Sequence, residues 1–258
     1  MTDRNDDRAF GALAFQDVTE KIGRGAVLCL PLGATEQHGP HLPLNTDAII
    51  AEHVVREIVA RYGAEFDLWR LPLLPVGLSR EHGWAAGTLT LNVRTFAALL
   101  RDMAASLVRA CAARNLAVVN GHGGNRGILE ALIYELQDEF GLNLCVVHPL
   151  ALSGMEQECA FPDIHGGLIE TSLMLLFAPH LVRADRIPAA GGDRQAIGAL
   201  ILDRGVSWPW SSGDPALAER GVTGEAQRAS AEIGRRVIER LLENVRPVLQ
   251  QLRARETR

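Results

Sequence analysis

The chain of 258 residues is almost without lysine, and its scattered arginines leave a formal net charge of −5 and a pI near 5.9. That balance supplies no clustered cationic footprint for phosphates, so no nucleic-acid partner is expected. No run approaches the roughly 18 consecutive apolar residues that cross a bilayer, and the polar start through Asp6 and Asp7 does not read as a signal peptide. No membrane association is expected, and the chain is read as cytoplasmic. The four cysteines, Cys29, Cys111, Cys145 and Cys159, are far apart and form no CxxC pair, so they read as small buried residues in a reducing compartment. A P-loop ending and GxGxxG spacing are both missing, as is a GxSxG elbow, which excludes the usual nucleotide cofactors and the usual serine nucleophile.

What is present is the balance of a globular protein: 47% hydrophobic and 22% charged residues, read as a single domain over 1–258 with flexible ends at 1–10 and 253–258. Apolar runs at 26–32, 71–75, 116–119 and 142–147 read as strands, although Pro72 and Pro75 weaken the second. Helical spacing covers 47–62, 93–114, 127–140 and 168–177. Residues 187–223 read as an irregular excursion before a last helix at about 225–252. Strands alternating with helices imply an α/β fold, a largely parallel sheet with helices on both faces.

In a parallel sheet the loops after the strands gather along one edge. They bring together Glu36, His38 and Asp47 after the first strand, His122 after the third, and His165 and Glu170 after the fourth. Imidazole and carboxylate ligands suit Zn, Mn or Fe, and several carboxylates can bridge two ions that activate one water. Each residue also has a structural reading. Asp47 is a good helix N-terminal residue, Gly121 to Gly124 can form an anion nest, and Glu170 can pair with an arginine. Its place in an otherwise apolar helix demands some cationic partner.

The strings Thr35-Glu36-Gln37-His38-Gly39-Pro40-His41 with Asp47, Asn120-Gly121-His122-Gly123-Gly124-Asn125, and His165-Gly166-Gly167-Leu168-Ile169-Glu170 together resemble the signature of the creatininase family. The resemblance implies a three-layer α/β/α sandwich, a homo-oligomer, commonly a hexamer, and one or two divalent ions held by Glu36, His38, Asp47, His122 and Glu170. It also implies cleavage of a C–N amide bond by activated water. Where creatininase proper has Tyr and Glu after the motif histidine, Gly123 and Gly124 stand here, and Phe161 replaces the tryptophan ahead of His165. This form is similar to the deformylase and mycofactocin-maturation branches, in which Glu170 is expected to complete the site.

The expected substrate is therefore a small cyclic amide or a formamide. The alternatives are a short modified peptide, or no substrate at all in a protein that merely binds metal. His165, whose ordinary pKa lies near neutrality, is assigned proton transfer to the leaving nitrogen, with Glu170 counted beside it as catalytic. Ser79, Glu81 and His82 in the loop after the second strand, together with Gly123, are candidates to line a substrate pocket. Trp208 and Trp210 read as a pocket wall or an oligomer contact, and His41, His53, His148 and His180 as structural.

Overall fold

The computed structural model describes residues 8–189, 192–202 and 205–255, in which four parallel strands form one sheet of order β2-β1-β3-β4. The strands are β1 (Val27–Leu32), β2 (Leu68–Arg70), β3 (Asn115–Asn120) and β4 (Asn143–Val147). The helices are α1 (Phe15–Lys21), α2 (Thr46–Phe66), α3 (Val93–Ala110), α4 (Arg126–Phe140), α5 (Pro149–Ser153), α6 (Leu168–Phe177), α7 (Arg194–Ile197) and α8 (Ala231–Ala254).

Every residue of β1 and β3 is buried, as expected of strands covered on both faces. Their alternate side chains supply two separate cores. Val27, Cys29, Ala117 and Val119 pack with Ile50, Val54 and Ile58 of α2, Leu173 of α6 and Leu241 and Val245 of α8. Leu28, Leu30, Leu116 and Val118 pack with Phe96, Leu100 and Ala104 of α3 and Leu129 and Leu132 of α4. The result is the helix, sheet, helix layering that the periodicity implies.

The second strand lies earlier than expected. Leu68–Arg70 pairs with Val27–Cys29, and the 71–75 run adds one bridge from Leu74 to Leu32. Pro72 and Pro75 have no N–H to donate, so a regular ladder stops before them. The last helix starts at Ala231 rather than 225, because Ser230 accepts the Ile233 N–H at 3.2 Å and caps it there. α3 ends at Ala110, where the Arg114 guanidinium takes the carbonyls of Cys111, Ala112 and Ala113. The ends carry more structure than expected: Ala9 bridges Arg70 and α8 continues to Ala254. The remainder of the two segments read as flexible, 1–7 and 256–258, falls outside the described residues.

The 187–223 segment contains α7 and returns to the sheet edge, where Thr223 bridges His165 and the Ser212 N–H donates to the Glu81 carbonyl at 3.0 Å. It thus closes over the loops that carry the candidate ligands.

α6 and α8 cross at Gly234, where an added Cβ would stand 2.5 Å from the Ser172 carbonyl oxygen. Gly234→Ala is expected to lower stability by about 1–3 kcal/mol through overpacking. Gly127→Ala, on an open helix face with nothing within 4 Å, should raise it by about 0.5–1 kcal/mol. Urea unfolding of both variants checks the pair, and equal shifts would show that the crossing is not tight.

Candidate metal centre

The loops after β1, β2 and β3 and the segment ahead of α6 meet at the C-terminal edge of the sheet. Glu36, His38, Asp47, His122, His165 and Glu170 are all buried there. Their donor atoms form three overlapping groups within 4.8 Å: Glu36, Asp47 and His122; His38, Asp47 and Glu170; and Glu36, His38 and His165. Glu36, His38 and Asp47 each belong to two of the groups, so the three groups form one connected cluster.

Main-chain carbonyls orient three of the imidazoles. His38 Nδ1 lies 3.1 Å from the Glu36 carbonyl, His122 Nε2 lies 2.7 Å from the Leu78 carbonyl, and His165 Nε2 lies 2.6 Å from the Gln37 carbonyl. A carbonyl only accepts, so each of these nitrogens carries a proton and the other nitrogen turns inward. His38 Nε2 then faces Asp47 Oδ1 at 2.9 Å and Glu170 Oε2 at 3.8 Å. His122 Nδ1 faces Asp47 Oδ2 at 3.0 Å and Glu36 Oε1 at 3.3 Å, and His165 Nδ1 lies 3.7 Å from Glu36 Oε1. Although close, Glu36 Oε1 and Oε2 and Asp47 Oδ2 accept no aligned hydrogen bond. Buried anionic oxygens without donors, opposite inward imidazole nitrogens, are what a cation requires.

The electrostatics agree. Burial disfavours a charged His38 ring, but Asp47, aided by Glu170 and Glu36, raises its pKa to about 10. His122 is likewise raised, with Glu36 and Asp47 overcoming burial. Burial opposes ionisation of Asp47, yet His38 and His122 hold its carboxyl far below the carboxylate range. Burial pushes Glu170 up to about 8 despite His38, while burial and the neighbouring His38 and His82 rings depress His165. Without an ion, protons occupy the gaps between these groups, and a bound metal would displace them.

Glu170 has no arginine partner among the contacts described; its Oε2 accepts the Gly166 N–H at 2.6 Å and faces His38. Asp163 holds the start of α6 instead, accepting Leu168 N–H at 2.6 Å and Ile169 N–H at 2.9 Å. Gly123 faces open space, whereas a Cβ on Gly124 would strike Glu81 Oε1 at 2.6 Å and the Leu78 carbonyl at 2.4 Å. Ser79 is buried with its Oγ unpartnered, and His82 is buried with Nε2 3.3 Å from Glu36 Oε1. The loop after β2 thus belongs to the site. Trp210 stands edge-on to the His82 ring at 5.8 Å, and Trp208 is more than half exposed. His41 bonds Thr171 Oγ1 at 2.8 Å and His53 stacks on Phe177, both in packing roles. His148 lines a cleft of about 110 Å³ that runs past Gly123 to His122 and Glu170.

The sequence reading passed over Gln37, Trp84 and Ser212. Gln37 lies between two ligands in an extended segment, so its side chain turns away from theirs, and that alternation was the available signal. Ser212 and Trp84 carried none, since only the tertiary fold brings residue 212 to the loop after β2.

These features are those of a cluster able to hold a divalent cation, and residues 12–249 match the family model described as creatininase, creatinine amidohydrolase. The chain belongs to the creatininase family, whose members are metal-dependent amidohydrolases and deformylases. It is 37% identical over 229 residues to the mycofactocin precursor peptide peptidase of Mycobacterium tuberculosis, covering 84% of this chain and 82% of that protein. It is 31% identical over 201 residues to the creatinine amidohydrolase of Pseudomonas putida, covering 69% and 74%. A manganese form of creatininase superposes with a TM-score of 0.78 at 25% identity, covering 96% of this chain and 99% of that one. A variant in a Zn–Zn form superposes with a TM-score of 0.79 at 25% identity, covering 96% and 98%.

The pKa shifts fix a pH dependence for metal-free protein. A carboxyl raised from 4.5 to about 8 keeps a proton in the folded state that the unfolded chain has lost, so Glu170 costs stability as pH rises through that window. His38, raised from 6.5 to about 10, loses its contribution as pH rises through its own window. Chelated protein should therefore lose stability from about pH 7 to about pH 10, above the range in which the depressed His41, His82 and His165 oppose the trend, and Glu170→Gln should flatten the lower part of the slope. Added Zn or Mn at ~1,000 times Kd should restore about 4 kcal/mol. Denaturant melts across pH, with and without metal, check this; a metal-independent curve would contradict the assignment.

Proposed function

We propose that Glu36, His38, Asp47, His122 and Glu170 hold one or two divalent ions and that the chain hydrolyses the C–N amide bond of a small cyclic amide or a formamide. The observation that carries this reading is the set of buried carboxylate oxygens without donors, faced by imidazole nitrogens that carbonyls have turned inward. A divalent ion there supplies Lewis acidity, activating water and polarising a carbonyl oxygen. The chain's own residues do the rest. His165, fixed at Nε2 by the Gln37 carbonyl, takes the proton of the attacking water at Nδ1 and returns it to the leaving nitrogen. Glu170 completes the cluster from α6, and Gly123 leaves space for the substrate beside His122.

A second reading, hydrolysis at the end of a short peptide, draws support from the cleft past Gly123 and from the similarity to a peptide peptidase. A homo-oligomer, hexameric by family resemblance, is consistent with the exposed Trp84, Leu89 and Val93. Among the described residues no helix is long and apolar enough to cross a membrane, and the net charge offers nothing to nucleic acid, in keeping with a cytoplasmic enzyme of small molecules.

The test pairs metal analysis with turnover of creatinine, other cyclic amides, formamides and short peptides. Activity is expected to vanish on chelation and return with Zn, Mn or Fe. Glu36→Gln and His122→Ala should each lower kcat at least ~100-fold with the fold retained. Near-normal turnover in either variant would defeat the mechanism, and turnover of peptides alone would select the second reading.

A further inference from the structure

His82 and His122 stand equally far from the same carboxylate oxygen, each with a ring nitrogen 3.3 Å from Glu36 Oε1. Their hydrogen bonds nevertheless give them opposite roles. The outer nitrogen of His122 is protonated, because it donates to the Leu78 carbonyl, so its inner nitrogen is available to a metal. For His82 the donors can be counted around Ser212.

The Gln37 amide orientation comes first. Its Oε1 accepts the Gly39 N–H at 2.9 Å and its Nε2 donates to the Gly221 carbonyl at 3.1 Å, so Nε2 is the NH₂ end. That NH₂ lies 3.0 Å from Ser212 Oγ, and the Trp84 indole N–H, which can only donate, lies 2.9 Å from the same oxygen. With one Gln37 proton on the Gly221 carbonyl, the other goes to Ser212 Oγ or to His82 Nδ1. In the first case Gln37 and Trp84 fill both lone pairs of the hydroxyl oxygen, and the Ser212 proton turns to His82 Nδ1 at 2.7 Å, its nearer acceptor, against 3.4 Å for the Glu81 carbonyl. In the second the Gln37 N–H itself meets His82 Nδ1 at 3.0 Å. Either way His82 Nδ1 faces a donor and carries no proton, so the ring is neutral and its proton sits on Nε2, the nitrogen turned toward the metal-binding cluster.

A protonated nitrogen cannot ligate, and His82 is also absent from the three groups of mutually close donor atoms, although its Nε2 is as near Glu36 Oε1 as His122 Nδ1 is. Nor is the N–H spent on Glu36, whose Oε1 has no aligned donor. The ring is held against movement by His165, stacked at 3.9 Å and 22°, and by the edge of Trp210.

From this count we infer that His82 is a catalytic hydrogen-bond donor whose Nε2–H holds the substrate's carbonyl oxygen as negative charge builds on it. The inference rests on the amide-hydrolase reading and adds the group that binds the reacting oxygen. No proton leaves the ring. Such a donor in a site closed to water is worth about 10²–10³-fold in kcat. Ser212, Gln37 and Trp84 are positioning residues, since they act only by keeping Nδ1 an acceptor.

The test begins on full-length, metal-free protein with ¹⁵N-labelled histidine, using His82→Gln to assign the signals. His82 is expected to be neutral with Nδ1 bare and Nε2 protonated. Zinc should shift the inner nitrogens of His38 and His122 and leave the His82 proton in place. Formate, a carboxylate of the kind amide hydrolysis releases, should then move the His82 Nε2–H resonance downfield in a saturable way. With any amide the wild type turns over, His82→Leu should lower kcat about 100-fold at unchanged metal content, and His82→Gln, which keeps an N–H, should lose less. A proton on Nδ1, an N–H unmoved by formate, or a Leu variant within threefold of wild type would each overturn the inference. Absence of turnover by the wild type on every amide would instead count against the hydrolase reading, and the formate result would still decide the role of His82.

Discussion

The rest of the site depends on the mutual repulsion of Glu36, Asp47 and Glu170, three carboxylates brought together out of water. At such distances, in a low dielectric, like charges cannot coexist without compensation. No lysine or arginine compensates them in the contacts described; histidines do, and their inner nitrogens hold either a proton or an ion. The cluster is thus built as a cation site first, and its catalytic potential follows from which neighbours of the cation are left unsaturated.

The fold places that repulsion where it can be tolerated. Four parallel strands, the central two buried throughout, deliver three loops to one edge, and α6 brings Glu170 to the same edge from the other side of the cluster. The long segment after α6 contributes no candidate ligand among its described residues but covers the loops with Ser212 and Thr223. It supplies the hydroxyl that meets His82 Nδ1 at 2.7 Å.

Much of this was legible in the chain. The strand and helix alternation follows from periodicity, and the placement of Glu36, His38, Asp47, His122 and Glu170 on one edge follows from parallel topology alone. The strand at 71–75 was misplaced because hydrophobicity outlines an apolar run whether or not its prolines can join a ladder. Ser230 as a cap was a local signal, overlooked beside the longer helical pattern. The involvement of Ser79 and His82 was only half readable, since a polar loop after a short strand looks the same when solvated as when folded inward. Ser212 and Trp84 could not be read at all, because their partners lie 130 and 128 residues away in the chain.

The anchors of the three inward-facing histidines are main-chain oxygens of Glu36, Gln37 and Leu78. A main-chain oxygen survives any point substitution at its own position, so ligand orientation is insulated from most of the changes that reshape a pocket. An exchange at 123, which faces open space, can alter the room beside His122 without pressing on a candidate ligand, whereas one at 124 would strike the His122 ring and the Leu78 carbonyl that anchors it. The surroundings of the cluster can therefore be reshaped at the side-chain level while the candidate ligands keep the direction in which the backbone points them.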